Sequence, residues 1–114
     1  MSTSFGQTLK ELRRSKTVTQ RNLATRVGVD FSYISKVEND RLPPPSADTI
    51  VKICEVLSVP ADHLLSMTGK VPTPVQKMVG ESSAAQQFMQ QAHNLNLSEE
   101  DWKKLTQNLK QLRK

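Results

Sequence analysis

Few side chains in this sequence could carry out catalysis or bind a metal ion. The chain contains two histidines, His63 and His93, which lie on different segments, and one cysteine, Cys54, within an apolar run. No carboxylate cluster or glycine-rich phosphate loop accompanies them, so we predict no enzyme activity, no metal site and no cofactor. A single cysteine cannot form an intramolecular disulfide, and Cys54 is expected to be a small buried apolar residue.

Positive charge is a more informative chemical feature. The 114 residues include 16 Lys and Arg against 11 Asp and Glu, a formal net charge of +5. A cation placed against a phosphate releases condensed counterions, so this balance favours a polyanion such as DNA or RNA as a partner. Charge alone does not decide the matter, because many basic proteins bind no nucleic acid.

The composition predicts a helical protein of the cytoplasm. Hydrophobic residues make up 36% of the chain and aromatic residues 4%. No apolar run approaches the roughly 20 residues that span a bilayer, so we predict no membrane partner. The N-terminal residues also lack the charged and apolar parts of a signal sequence.

Apolar spacing and capping residues predict five short helices in the first part of the chain. The second helix is bracketed by an N-cap at Thr19 and a turn at Gly28, and the third runs from Asp30, as its cap, to Glu38. The other three are expected after Ser4, from Ser46 or Ala47, and from Ala61 to Leu65.

Helix-breaking residues divide the chain into two parts. Gly69, Pro72, Pro74 and Gly80 fall close together, a composition typical of a linker. We therefore predict an all-α fold with a domain over residues 1–68, a linker over 69–81 and a helical hairpin over 82–114.

The segment around the second and third helices resembles the XRE family, the phage lambda repressor and Cro type of helix-turn-helix regulator. The resemblance covers about residues 5–65 and rests on Gln20 at the start of the second helix, Gly28 in the turn, the Ile-Ser-x-Val-Glu-Asn string over 34–39, and Arg41. It implies a five-helix lambda-repressor-like domain that binds double-stranded DNA. The second helix would cross the backbone, and the third, residues 30–38, would enter the major groove.

The resemblance also implies which side chains read the bases. Phe31, Ser32 and Lys36 are the candidates for base contact, with Tyr33 and Ser35 on the flanks touching bases or phosphate. Lys36 could donate to guanine O6 and N7, and Phe31 could pack on a thymine methyl. Two other interpretations stay open: Phe31 packs against the protein or touches nothing, and Lys36 reaches only phosphate.

A second group of positions matches family residues that hold the DNA backbone, namely Gln20, Asn39 and Arg41. Arg21 and Arg26 are interpreted as the solvated face of the second helix. Arg13 and Glu38 match positions that form an internal ion pair in similar proteins, and we expect them to have a structural role. The chain departs from the family pattern at Asp40, where a glycine is common, and at the prolines over 43–45.

The end of the chain carries a narrow apolar stripe of Trp102, Leu105, Leu109 and Leu112, spaced three, four and three apart. We interpret this stripe as a dimerisation surface, because two small helices bury little by themselves and a two-fold dimer doubles the contacts with a palindromic operator. The alternative is that the hairpin packs on its own N-terminal domain.

The sequence as a whole predicts a sequence-specific transcriptional regulator, a repressor, that binds a palindromic operator as a homodimer. The alternative is an antitoxin-like or protease-controlled autoregulator whose residues 82–114 bind a partner protein.

Overall fold

The computed structural model describes residues 3–113 and shows an all-α protein, which confirms the predicted fold class. No strand occurs in this part of the chain. The helices are α1 (Phe5–Ser15), α2 (Gln20–Val27), α3 (Phe31–Glu38), α4 (Ala47–Leu57), α5 (Asp62–Thr68), α6 (Thr73–Gly80), α7 (Ser83–Leu95) and α8 (Glu99–Leu109), and a 3₁₀ turn follows over Lys110–Arg113.

Side-chain caps define where most of these helices begin. The hydroxyl of Ser4 accepts from the Gln7 amide at 3.1 Å, and that of Thr19 accepts from the Asn22 amide at 3.0 Å. Each bond satisfies one of the amide groups that the first helical turn leaves unpaired. The prediction that Asp30 caps α3 was wrong in one respect: Asp30 occupies the cap position, but its side chain makes no capping hydrogen bond.

The chain divides into two compact units, unit 1 (Met1–Thr73) and unit 2 (Pro74–Lys114). Unit 1 holds the core, which is built from apolar residues at helical spacing on α1 to α5. Each such side chain stabilises the fold by about 1.5–3 kcal/mol when fully buried. The largest fully buried apolar side chains are Leu9, Leu23, Ile34, Ile50, Ile53, Leu57 and Leu64.

Unit 2 consists of α7, α8, the 3₁₀ turn and all of α6 except its first residue, and it has little core. Among the described residues of this unit only Ala92 is buried. A capping box starts α8: Ser98 Oγ accepts from the Asp101 amide at 3.2 Å, and Asp101 Oδ2 accepts from the Ser98 amide at 3.0 Å.

The segment expected to be a linker over 69–81 is mostly helical, since α6 occupies Thr73–Gly80. Pro74 is the second residue of that helix, where its missing N–H costs no hydrogen bond because first-turn amides have no helical partner. Gly80 is its last residue, a place where glycine does little harm. Gly69 ends α5 as expected, as a C-cap in the left-handed conformation at φ 67°.

Candidate nucleic-acid interface

The geometry of α2 and α3 depends on the turn between them. Gly28 adopts φ 89°, a left-handed conformation that glycine tolerates best, and its amide donates to the carbonyl of Ala24. Leu23 from α2 and Ile34 and Val37 from α3 are buried. This packing holds the two helices at one angle and leaves Phe31, Ser32 and Lys36 exposed on the outer face of α3.

The outer face of α3 contains the residues that the sequence assigned to base contact. Phe31, Ser32 and Lys36 are exposed, whereas Tyr33 and Ser35 are half-buried on the flanks. The Tyr33 hydroxyl is protonated and able to donate at neutral pH, and burial raises its pKa further above the usual value of 10.0. The structure thus brings all five candidates together on one short helix.

One face of the Phe31 ring has a neighbour within the protein. The guanidinium carbon of Arg21 lies 4.4 Å from the ring centroid, in a cation–π contact between α2 and α3. Phe31 nevertheless remains 39% exposed. Helical periodicity does not predict this contact, because it joins residues ten apart across a turn.

The residues assigned to the DNA backbone lie near the ends of α2 and α3. The Gln20 side-chain amide donates to Glu38 Oε1 at 2.9 Å, and that of Asn39 donates to the Ser35 carbonyl at 2.9 Å. An amide group has two N–H donors, so each retains one for a phosphate oxygen. Arg41 is exposed.

An ion pair lies behind this interface. Arg13 Nε donates to Glu38 Oε2 at 2.6 Å and a second guanidinium nitrogen donates to Glu38 Oε1 at 2.9 Å. Arg13 also donates to the Val18 carbonyl at 2.8 Å. The side chains are 8% and 0% exposed, so this bidentate pair joins α1 to the end of α3 from inside the domain.

Asp40 and Gly6 make a second connection between α1 and α3, which sequence reasoning missed. Asp40 adopts φ 59° and accepts hydrogen bonds from Ser4 Oγ at 2.7 Å and from the Gly6 amide at 3.1 Å. A Cβ on Gly6 would lie 2.4 Å from the Val37 carbonyl oxygen, so the helices approach closely there. The only indication in the sequence was an aspartate at position 40, where the family commonly has glycine. Glycine adopts a positive φ easily, whereas Asp40 adopts it while its carboxylate accepts two hydrogen bonds.

Positive charge collects beside α2. Lys10, Arg13, Arg14 and Arg21 line one concave surface together with Thr19, Gln20 and Phe31, and none of these lining side chains is a carboxylate. With Arg13 held by Glu38, the cations of Lys10, Arg14 and Arg21 have no ion-pair partner among the lining residues. Such a surface attracts a polyanion.

Three other properties of residues 3–113 bear on function: metal binding, the cysteine and membrane spanning. No group of three or more His, Cys, Asp or Glu side chains is placed to hold a metal ion there. Cys54 is buried, as expected, and burial raises the pKa of its thiol. Within the same range no helix is both long and apolar enough to cross a membrane.

Comparison with known proteins agrees with this arrangement. The Helix-turn-helix family model HTH_3 matches residues 9–64. The crystal structure of SinR, described as a master regulator for biofilm formation, in complex with DNA is 34% identical, with a TM-score of 0.51, over 54% of this chain and 98% of that chain. This chain belongs to the XRE-type family of helix-turn-helix regulators. The family predicted from the sequence is therefore confirmed.

Two relatives from Bacillus subtilis (strain 168) each match more than half of this XRE-type chain. The uncharacterized HTH-type transcriptional regulator RghRB is 40% identical over 67 residues, 59% of this chain and 48% of that protein. The HTH-type transcriptional repressor RghR is 37% identical over 68 residues, 60% of this chain and 50% of that protein. The chain thus matches these curated relatives over about half their length.

Proposed function

We propose that this protein is a transcriptional repressor that binds a palindromic operator as a homodimer, with α3 in the major groove. The observation that carries the proposal is the outer face of α3, where exposed Ser32 and Lys36 alternate with buried Ile34 and Val37. A reading helix needs this division, because buried residues fix its angle and exposed ones meet the bases. The relative RghR, named as a repressor, supports the sign of the regulation.

Individual roles follow from the chemistry of these side chains. Lys36 donates to guanine O6 and N7, and Ser32 bonds a neighbouring base edge, with Tyr33 and Ser35 on the flanks. Gln20, Asn39 and Arg41 donate to phosphate oxygens, which sets the register of α3 without reporting sequence. We assign DNA binding to residues 1–68.

Exposed apolar surface on unit 2 supports the homodimer. Trp102, Leu109 and Leu112 belong to the apolar stripe, and Leu109 and Leu112 are 63% and 73% exposed. Phe88 on α7 is half exposed as well. Large apolar side chains left in water favour association, and only one of the described residues of unit 2 is buried, so we assign residues 82–114 to dimerisation.

Selection of binders from a random duplex pool tests the DNA-binding proposal. We expect an inverted repeat with half-sites about 34–36 Å apart, or one helical turn, whose affinity falls as salt rises. Lys36→Ala should lose about 1–3 kcal/mol of discrimination at one base pair, whereas Lys52→Ala, which removes the same charge from α4, should not. Equal, weak binding of all duplexes by the wild type would contradict sequence-specific regulation.

Sedimentation equilibrium tests the homodimer and its alternative. The wild type should be a dimer, and Leu109→Glu with Leu112→Glu should be a monomer of unchanged helix content. A wild-type monomer that co-purifies with another protein, lost in the same variant, would instead favour an antitoxin-like regulator whose C-terminal helices bind a partner.

A further inference from the structure

Arg21 and Phe31 form a pair that the roles above leave unused. Arg21 is the second residue of α2 and Phe31 the first residue of α3, so their contact bridges the two helices at the end where α3 would meet DNA. The guanidinium carbon lies 4.4 Å from the ring centroid. Both side chains are exposed, so core packing does not require the contact.

Arg21 lies close to other positive charges, which repel it. Its guanidinium shares a concave surface with Lys10 and Arg14, and no carboxylate lines that surface. Like charges would drive a mobile arginine away into water. The Phe31 ring opposes this, because the negative face of its quadrupole attracts the cation and holds it beside the other positive charges.

We propose that Arg21 donates to a DNA phosphate and that Phe31 is a positioning residue that holds its guanidinium for this contact. The inference rests on the proposed function and deepens it. In a helix-turn-helix complex the helix before the recognition helix crosses the DNA backbone, so a residue at the start of α2 faces phosphate rather than base edges.

The geometry of the guanidinium suits a phosphate. A guanidinium is planar, so its N–H donors lie in one plane, and two of them can meet two phosphate oxygens at once. Holding the side chain before binding reduces the conformational entropy that the complex would otherwise lose. Phe31 therefore acts through Arg21, and its contribution to DNA affinity should not depend on the sequence of the bound DNA.

A double-mutant cycle on the full-length protein tests this role. The selected operator and a scrambled duplex are titrated at several salt concentrations with wild type, Arg21→Ala, Phe31→Ala and the double variant. Arg21→Ala should weaken binding to both duplexes and reduce the slope of log K against log salt by about 0.9. Phe31→Ala should weaken both by about two- to fivefold, and should have no effect when Arg21 is already Ala.

Matched variants test whether Phe31 acts through its aromatic ring or only through its size. They also test whether Arg21 acts through its position or only through its charge. Phe31→Tyr keeps the ring face and should bind like wild type, whereas Phe31→Leu should behave like Phe31→Ala. Arg26→Ala removes an exposed arginine from the same helix and should leave the salt slope unchanged. Far-UV circular dichroism confirms that each variant is folded.

Three outcomes would overturn the proposal. If Phe31→Ala weakens only the operator, and does so equally with Arg21 present or absent, Phe31 reads a base such as thymine. If Arg21→Ala changes neither affinity nor salt slope while the wild type binds, Arg21 is simply solvated. If the wild type binds neither duplex, the proposed function itself fails and this contact fails with it.

Discussion

Replacing Arg13 by alanine should destabilise unit 1 more than any surface substitution. The change removes both charge-assisted bonds to Glu38 and the bond to the Val18 carbonyl. Glu38 has a fully buried side chain and would keep only the Gln20 amide as a donor. A carboxylate left in that position has lost its water and its counter-ion together.

The expected loss is about 3–5 kcal/mol, the usual cost of removing one partner from a buried ion pair. This loss is comparable to the total free energy of unfolding of a marginally stable small domain, about 5 kcal/mol. Replacing both residues, Arg13→Met with Glu38→Met, should recover much of the loss, because no charge is then left unpaired.

Urea unfolding followed by far-UV circular dichroism measures the effect. With a slope of about 1–2 kcal/mol per molar urea, a loss of 3 kcal/mol lowers the midpoint by roughly 1.5–3 M. Arg14→Ala is the matched control, since it removes the neighbouring exposed arginine and should change stability by less than about 0.5 kcal/mol. A midpoint for Arg13→Ala equal to that of Arg14→Ala would refute the structural role of the pair.

Three further predictions concern Gly6, Asp40 and Asp101. Gly6→Ala should destabilise unit 1 by about 1–3 kcal/mol through its clash with backbone, and Gly80→Ala, where nothing lies within 4 Å, should be neutral in the same urea assay. Asp40→Ala should lower the free energy of unfolding by about 1 kcal/mol, and Asp40→Asn by less, because asparagine still accepts a hydrogen bond and tolerates a positive φ. Equal losses of stability for the two variants in calorimetry would contradict this. The backbone hydrogen bond from Ser98 holds the pKa of Asp101 below its usual 3.8. The ionised carboxylate therefore stabilises α8 above pH 3.8, and this stabilisation is lost as the pH falls through the lowered pKa of Asp101. Asp101→Asn should remove this acid transition from Trp102 fluorescence, and a transition of unchanged size would count against it.

Local patterns in the sequence determined the elements of unit 1 and their ends. The caps at Ser4 and Thr19, the turn at Gly28 and the apolar spacing within each helix depend on residues only a few positions apart, so they can be recognised without the fold. The same is true of the family, whose motif spans two consecutive helices. By contrast, Pro74 and Gly80 do not break a helix as expected, because each lies at an end of α6, where a helix tolerates them.

Only the tertiary structure decided the contacts between residues far apart in the chain. Asp40 meets Ser4 across 36 positions, and Gly6 is required because a backbone carbonyl from α3 lies against α1. Arg21 and Phe31 come together because the turn at Gly28 folds α3 back beside α2. Helical period and capping carry no information about such pairs, since both describe one helix at a time. The sequence thus determined which helices form and which family they belong to, and the packing of those helices decided which side chains can act together on DNA.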